Sequence, residues 1–281
     1  MIKKINYFIQ SIIIYLFFFI VRILGLKLSR KLFSLIGPLF KSKKTINKNL
    51  NIFSKEISNS EKNIIITDMW KNFGMTFIEY IFLNYLRKTN RHIKIIGEKN
   101  ISNLLNNNKQ VIFVSGHLAN FELMSMEITK KNINLATIYR PLNNFFLNPF
   151  MEYLRKKYIC KNQIKKGIKG VKETIDYIKK KHSIALMIDQ RVSEGELVDF
   201  FNTPALTTTL PAQLSIKYNL GIIPVYIERV NDNEFIIEFQ NEIRPENFKN
   251  KKEITKELNN TLEKMIIRNP YQWIWTHNRW K

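Results

Sequence analysis

A chain of 281 residues can bury one large core or two smaller ones, and we read a single main domain behind a short N-terminal segment. Lys and Arg number 45 against 23 Asp and Glu, a net charge of +22 that favours anionic partners: lipid headgroups, nucleic acid or an acidic carrier protein. Heavy use of Ile, Asn and Lys, as an A/T-rich genome produces, accounts for part of that charge, and the single Cys160 excludes an intramolecular disulfide and a cysteine-based metal cluster, which argues against redox chemistry and fits a reducing compartment.

Residues 8–26 are apolar apart from Gln10, Ser11 and Arg22, close to the roughly 20 residues that a bilayer crossing requires. Lys3 and Lys4 precede the stretch and no small-residue cleavage site follows, so it reads as an uncleaved anchor, with an interfacial amphipathic helix as the competing reading. Arg22, Lys27, Arg30, Lys31, Lys41, Lys43 and Lys44 outweigh the two lysines before it, which places the main domain in the cytoplasm. The division is therefore an anchor over 1–30 and one domain over 31–281.

Residues 41–60 are polar and basic and read as a connector without chemistry. Ser60 is a plausible N-cap for a helix whose Ile64, Met69 or Trp70, Phe73, Phe77, Tyr80 and Ile81 recur at helical spacing, a face for the core or the membrane. His92 follows in an alternating basic run that suggests an edge strand and offers it no partner.

Residues 111–122, V-I-F-V-S-G-H-L-A-N-F-E, carry the candidate chemistry. Five apolar or small residues suit an inner strand, Gly116 allows a sharp turn, and a helix is expected to start near Asn120. Positions five apart on a helix diverge by roughly 140°, so His117 must lie in the turn, where its ring can point back at Glu122 and its other nitrogen outward, as a general base needs. By itself the spacing is close to chance in a chain with four His and 23 acidic residues, and a His merely satisfied by a nearby acid is the competing reading.

Residues 135–139 read as a second strand ended by Pro141, leaving Arg140 at its carboxyl end, either as a guanidinium fork for phosphate or as an ordinary exposed arginine. Residues 150–182 are strongly basic. Ile168, Val171, Ile175 and Ile178 form an apolar stripe there, which predicts a helix packed on the sheet with a cationic outer face toward an anionic bilayer or carrier. Residues 184–188 are a third strand, ending in Asp189-Gln190-Arg191. If the three strands run parallel, His117, Arg140 and Asp189 converge where open α/β sheets collect ligands. Residues 194–211 read as an irregular loop, 222–228 and 234–240 as a hairpin around 231–233, and 254–267 as a terminal helix. The tail concentrates three of four tryptophans and suits either an aromatic plug, with His277 as a structural member, or the membrane interface.

G-H-L-A-N-F-E at 116–122, Tyr139-Arg140-Pro141, Asp189-Gln190, the loop with Phe200-Phe201 and Thr203-Pro204-Ala205, and the ending P-Y-Q-W-I-W-T-H-N-R-W-K together resemble the lipid A biosynthesis acyltransferases of lauroyl/myristoyl type, within the lysophospholipid acyltransferase superfamily. The resemblance covers most of the chain. It implies an α/β fold with a mixed, largely parallel central sheet flanked by helices, like glycerol-3-phosphate acyltransferases, and an N-terminal membrane helix. It also implies transfer of a fatty acyl chain from acyl carrier protein or coenzyme A to a hydroxyl of a lipid A precursor at the bacterial inner membrane. His117 and Glu122 would be catalytic, and Asn120, Arg140, Asp189 and Gln190 substrate-binding, without metal or cofactor. Ala119 and Phe121 replace a usual glycine and tryptophan, and Asp199, Asn202 and Leu210 replace proline, glycine and glycine, so acyl length and acceptor stay open.

The alternatives are a glycerophospholipid acyltransferase and a basic, non-catalytic membrane-binding protein. A nucleic-acid binder has only the charge in its favour, and a serine hydrolase lacks a G-x-S-x-G elbow.

Overall fold

The computed structural model describes residues 2–40, 44–107, 109–231 and 233–281; Lys41 and Lys43 of the basic cluster and Asp232 of the hairpin turn lie outside them. Helices α1 (Ile2–Leu24), α2 (Leu26–Ile36), α3 (Lys44–Phe53), α4 (Asn59–Glu79) and α5 (Leu83–Lys88) precede the sheet. Strand β1 (Ile93–Ile96), α6 (Glu98–Asn107), β2 (Val111–Ser115), α7 (Glu122–Lys130), β3 (Leu135–Tyr139), α8 (Asn148–Tyr158), β4 (Asn162–Lys165), α9 (Ile168–Lys179) and β5 (Ser183–Met187) then alternate. The chain ends with β6 (Glu196–Phe200), β7 (Thr203–Thr207), α10 (Leu210–Tyr218), β8 (Gly221–Val230), β9 (Glu234–Phe239) and α11 (Lys251–Arg268).

Seven strands form one sheet in the order β1-β9-β8-β2-β5-β3-β4. Every pairing in it is parallel except the β8–β9 hairpin, so the mixed, largely parallel α/β sheet flanked by helices is what the structure shows. Strand β2 sits in the middle with all five residues buried, as an inner strand covered on both faces must be. Parallel pairing of β2 with β5, and of β5 with β3, puts the carboxyl ends of all three on one edge. Because β8 reverses into β9 and β9 runs parallel to β1, the start of β1 lies on that same edge.

Several expectations are corrected. The supposed connector forms α3, because Ile46 and Leu50 lie one turn apart and bury together, and Asn49 donates to the carbonyls of Trp275 and His277 at 2.8 and 2.7 Å. Helix α4 is capped by Ser58 rather than Ser60, in a reciprocal capping box with Glu61. The basic run over 150–182 divides into α8, β4 and α9, and its apolar stripe is only half buried, with Ile168 94% exposed while Ile178 lies inside. The loop over 194–211 is an antiparallel ribbon of β6 and β7, turned by Phe201 and Asn202 at φ 51° and 52°. Asparagine tolerates that left-handed backbone, so Asn202 can stand where the resemblance implies a glycine.

Helix α1 lies against the domain along one face. Asn144 donates to the Tyr7 carbonyl at 2.9 Å, Tyr15 to the Phe146 carbonyl at 3.0 Å, and Phe18 packs on Phe77 and Phe150. Its other face leaves Ile5, Ile9, Ile12, Leu16, Phe19 and Ile23 exposed. After a turn at Gly25, φ 76°, α2 packs on α4. Where they meet, Glu79 of α4 is fully buried between Arg30 of α2 and Arg229 of β8, each at 2.6 Å. Burial opposes ionisation of Glu79, but the two guanidinium groups hold its carboxyl below the usual range. Glu79→Gln strands two buried cations and should cost about 3–5 kcal/mol, read as a lowered denaturation midpoint of the detergent-solubilised protein.

Candidate active site

Strand β2 delivers the chain to a turn that three elements hold. A Cβ on Gly116 would come within 2.8 Å of Leu262 Cδ1 and 3.5 Å of the Asp189 Cβ, so a side chain here would have to displace the end of Leu262, and the glycine serves close passage rather than backbone freedom. The left-handed residue is Ala119, at φ 47°, which accounts for the glycine usual at that position in the family. From the tail, Gln272 accepts from the Ala119 N–H at 3.0 Å, and Ile274 donates to the His117 carbonyl at 3.2 Å. From α4, Asn72 and Thr76 donate to the Ala119 carbonyl at 3.3 and 3.2 Å.

The ring partner of His117 is Asp189, which corrects the expectation that the imidazole points back at Glu122. Nδ1 of His117 lies 2.8 Å from Asp189 Oδ1, while Oδ2 accepts the His117 backbone N–H at 2.9 Å and the Trp273 indole N–H at 2.8 Å. The cause is sheet register: Ile188 continues β5 by donating to the Ser115 carbonyl at 2.9 Å, which seats Asp189 beside Gly116 and His117. Burial opposes charge on Asp189, but His117 and these hydrogen bonds hold its carboxyl at about 2. Burial likewise disfavours the imidazolium, yet Asp189 and, at longer range, Glu122 raise the His117 pKa above its ordinary value. With Asp189 ionised, Nδ1 carries the ring proton and Nε2 is a basic nitrogen on a side chain 20% exposed.

Glu122, first residue of α7, turns away toward α4 and α8. Its Oε1 accepts from Arg155 Nε and Nη2 at 2.8 and 2.6 Å and from the Tyr80 hydroxyl. Arg155 also donates to the Tyr80 oxygen at 2.8 Å, and its guanidinium lies 5.6 and 5.7 Å from the ring centroids of Tyr80 and Tyr139. The acid expected to orient the histidine thus anchors an arginine beside it.

Asn120 is buried and donates to Glu79 at 2.7 Å, which makes it part of the ionic core rather than a residue facing substrate. Arg140 stands exposed at the end of β3, two strands from β2 on the same edge, and close enough to depress the Lys166 pKa after burial does so. Gln190 is half-buried after Asp189. His277 accepts the Arg191 N–H at 3.0 Å through Nε2 and so pins the loop that follows Asp189.

Sequence reading missed Arg155 and Glu79 and took Tyr80 only as a member of an apolar helix face. Arg155 was hidden among neighbouring lysines, whereas an acid followed by a tyrosine at the buried end of α4 was a signal that could have been used. The tail is the aromatic plug of the two readings: Trp273 and Trp275 are fully buried, and Trp280 stacks on Phe200.

An imidazole held by a buried carboxylate at the carboxyl edge of an α/β sheet can take a proton from a group presented to Nε2. The chain matches the family described as bacterial lipid A biosynthesis acyltransferase over residues 2–281. It belongs to that family and is an acyltransferase that acts on lipid. Among solved structures it is similar to the 1-acyl-sn-glycerophosphate acyltransferase PlsC from Thermotoga maritima, with 11% identity, 95% of this chain and 99% of that chain covered, and a TM-score of 0.45. No curated protein matches it.

The raised His117 pKa gives acyl transfer an acidic limb, because protonation removes the basic nitrogen. Its midpoint is expected above the ordinary histidine value of about 6.5. Asp189→Asn removes the larger influences that raise it and leaves burial, opposed only by the more distant Glu122, so the midpoint should move to lower pH while the plateau rate falls about 10²- to 10⁴-fold. A pH–rate profile of both proteins checks the sign and the size.

Proposed function

We propose that this enzyme moves a fatty acyl chain from the thioester of acyl carrier protein, or of coenzyme A, to a hydroxyl of a membrane-embedded lipid A precursor. The observation that carries the reading is the His117 ring, fixed by Asp189 with Nε2 left for substrate. The acceptor hydroxyl oxygen attacks the thioester carbonyl as Nε2 takes its proton. The C–S bond then breaks, and the imidazolium returns the proton to the departing thiolate. Asp189 stabilises the imidazolium between those steps. Glu122 adds a second, more distant negative charge and fixes Arg155. Arg140, with Lys166 beside it, suits a phosphate of the acceptor.

The bacterial inner membrane, with the catalytic domain on its cytoplasmic side, suits the rest of the surface. The exposed face of α1 continues into Leu142, Phe145 and Phe146, just beyond Arg140, so an apolar surface borders the mouth of the site. We assign α1 as the anchor and the remaining elements as one catalytic domain. The exposed lysines of α9, among them Lys169 and Lys172, offer charge to an acidic carrier.

His117→Ala should retain the fold and lose about 10²- to 10⁴-fold in turnover. Near-normal transfer by a folded His117→Ala protein would end the general-base reading. Supplying membranes with labelled acyl carrier and identifying the labelled lipid tests the acceptor; label in a lipid A precursor supports the proposal, and label in a glycerophospholipid replaces it.

A further inference from the structure

A cavity of about 650 Å³ opens where α1 meets α2, away from His117. Among the described residues Arg22, Lys27, Arg30, Lys88 and Arg91 line it, with Glu234 as the one carboxylate. Two further features separate it from an ordinary basic surface. Arg30 is 3% exposed and spends Nε on Glu79 and Nη1 on Asn233, while Nη2 is buried without a partner. His92, 8% exposed and also in the lining, bonds Thr89 through Nδ1 at 3.0 Å and has Nε2 buried without a partner. Buried polar groups are ordinarily satisfied, and each of these two nitrogens, on residues that line one cationic cavity, lacks an acceptor.

We propose that this cavity binds a phosphate group of a membrane lipid. Burial, reinforced by Lys130 and Arg30, pushes the His92 pKa down to about 4, so the ring is neutral near pH 7. If the Thr89 hydroxyl donates to Nδ1, Nε2 carries hydrogen and serves an anion as a donor. Location fits the ligand. Arg22 is in the last turn of the apolar α1 and Lys27 in the first turn of α2, so a bilayer that takes up α1 brings its headgroups to the cavity mouth. The cavity also shares the catalytic edge of the sheet: His92 precedes β1, three strands from β2, roughly 14 Å at ordinary strand spacing. The phosphate therefore belongs either to a bilayer phospholipid or to the acceptor, at a position remote from the acylated hydroxyl. The bilayer arm goes beyond the acyl-transfer reading, because vesicle binding needs no turnover and can succeed where that reading fails; the acceptor arm rests on that reading.

The test is co-sedimentation of the full-length protein with phosphatidylcholine vesicles, with and without phosphatidylglycerol. Three variants are compared with wild type: Lys88→Glu combined with Arg91→Glu on the rim, His92→Leu inside, and Lys179→Glu combined with Lys180→Glu as a charge-matched control on the distant end of α9. If a bilayer phospholipid is the occupant, the rim variant should lose about tenfold or more of the affinity gained from phosphatidylglycerol. His92→Leu should lose part of that gain without a change in charge, and the control should lose much less. If the acceptor supplies the phosphate, vesicle binding holds and the acceptor KM, measured in neutral detergent free of phospholipid, rises in the rim and His92→Leu variants. A control that weakens binding as much as the rim variant, or rim and His92→Leu variants unchanged in both assays, overturns the site.

Discussion

The site depends on one buried carboxylate. Asp189 accepts a ring N–H, a backbone N–H and an indole N–H from two segments that are far apart in sequence. A carboxylate taken out of water is tolerated only when its lone pairs are satisfied, and these donors, together with the charge on His117, hold Asp189 ionised. Ionised, it sets the tautomer of the ring. The same bonds close the tail of the chain onto the catalytic turn, because Trp273 reaches Asp189 while its neighbours Gln272 and Ile274 pair with the backbone on either side of Leu118.

A second buried ionic group supports the turn from the other side. Glu79 gathers Arg30, Arg229 and Asn120, and α4 also supplies the Asn72 and Thr76 donors to the Ala119 carbonyl. Burying such a cluster is costly compared with a hydrocarbon core of the same shape. Its return here lies in placement: it ties α2, α4, β8 and the catalytic turn in one arrangement. The left-handed Ala119, uncommon for a residue with a Cβ, sits where bonds from both sides determine its conformation.

The site's place at the carboxyl edge was legible because three strands are short apolar runs ending in polar clusters, a pattern that residues 111–117, 135–140 and 184–189 repeat, whereas the order of the strands in the sheet was not. The partner of His117 was not. Spacing along the chain favoured Glu122, five residues away, whereas the pairing is decided by the register of β2 against β5, 72 residues apart. Asn120 was misread for a related reason, since a polar residue inside a catalytic-looking motif gives no sign that it faces a buried glutamate. The ribbon of β6 and β7 was overlooked although Val198 and Phe200 alternate with exposed Leu197 and Asp199, because Pro204 and the threonines around it suggested a loop. The tryptophans of the tail were legible as a plug. Their tie to the catalytic carboxylate needed three dimensions.

The central claim is that Asp189, and not Glu122, holds the ring proton of His117 in place. Nitrogen-15 NMR of histidine-labelled enzyme reads it directly, through the protonation of Nδ1 and the strongly downfield position of a proton shared with a carboxylate. The account predicts that this signal is present in the wild type, persists in a folded Glu122→Gln variant and disappears in Asp189→Asn. Its persistence in Asp189→Asn and loss in Glu122→Gln would contradict the account.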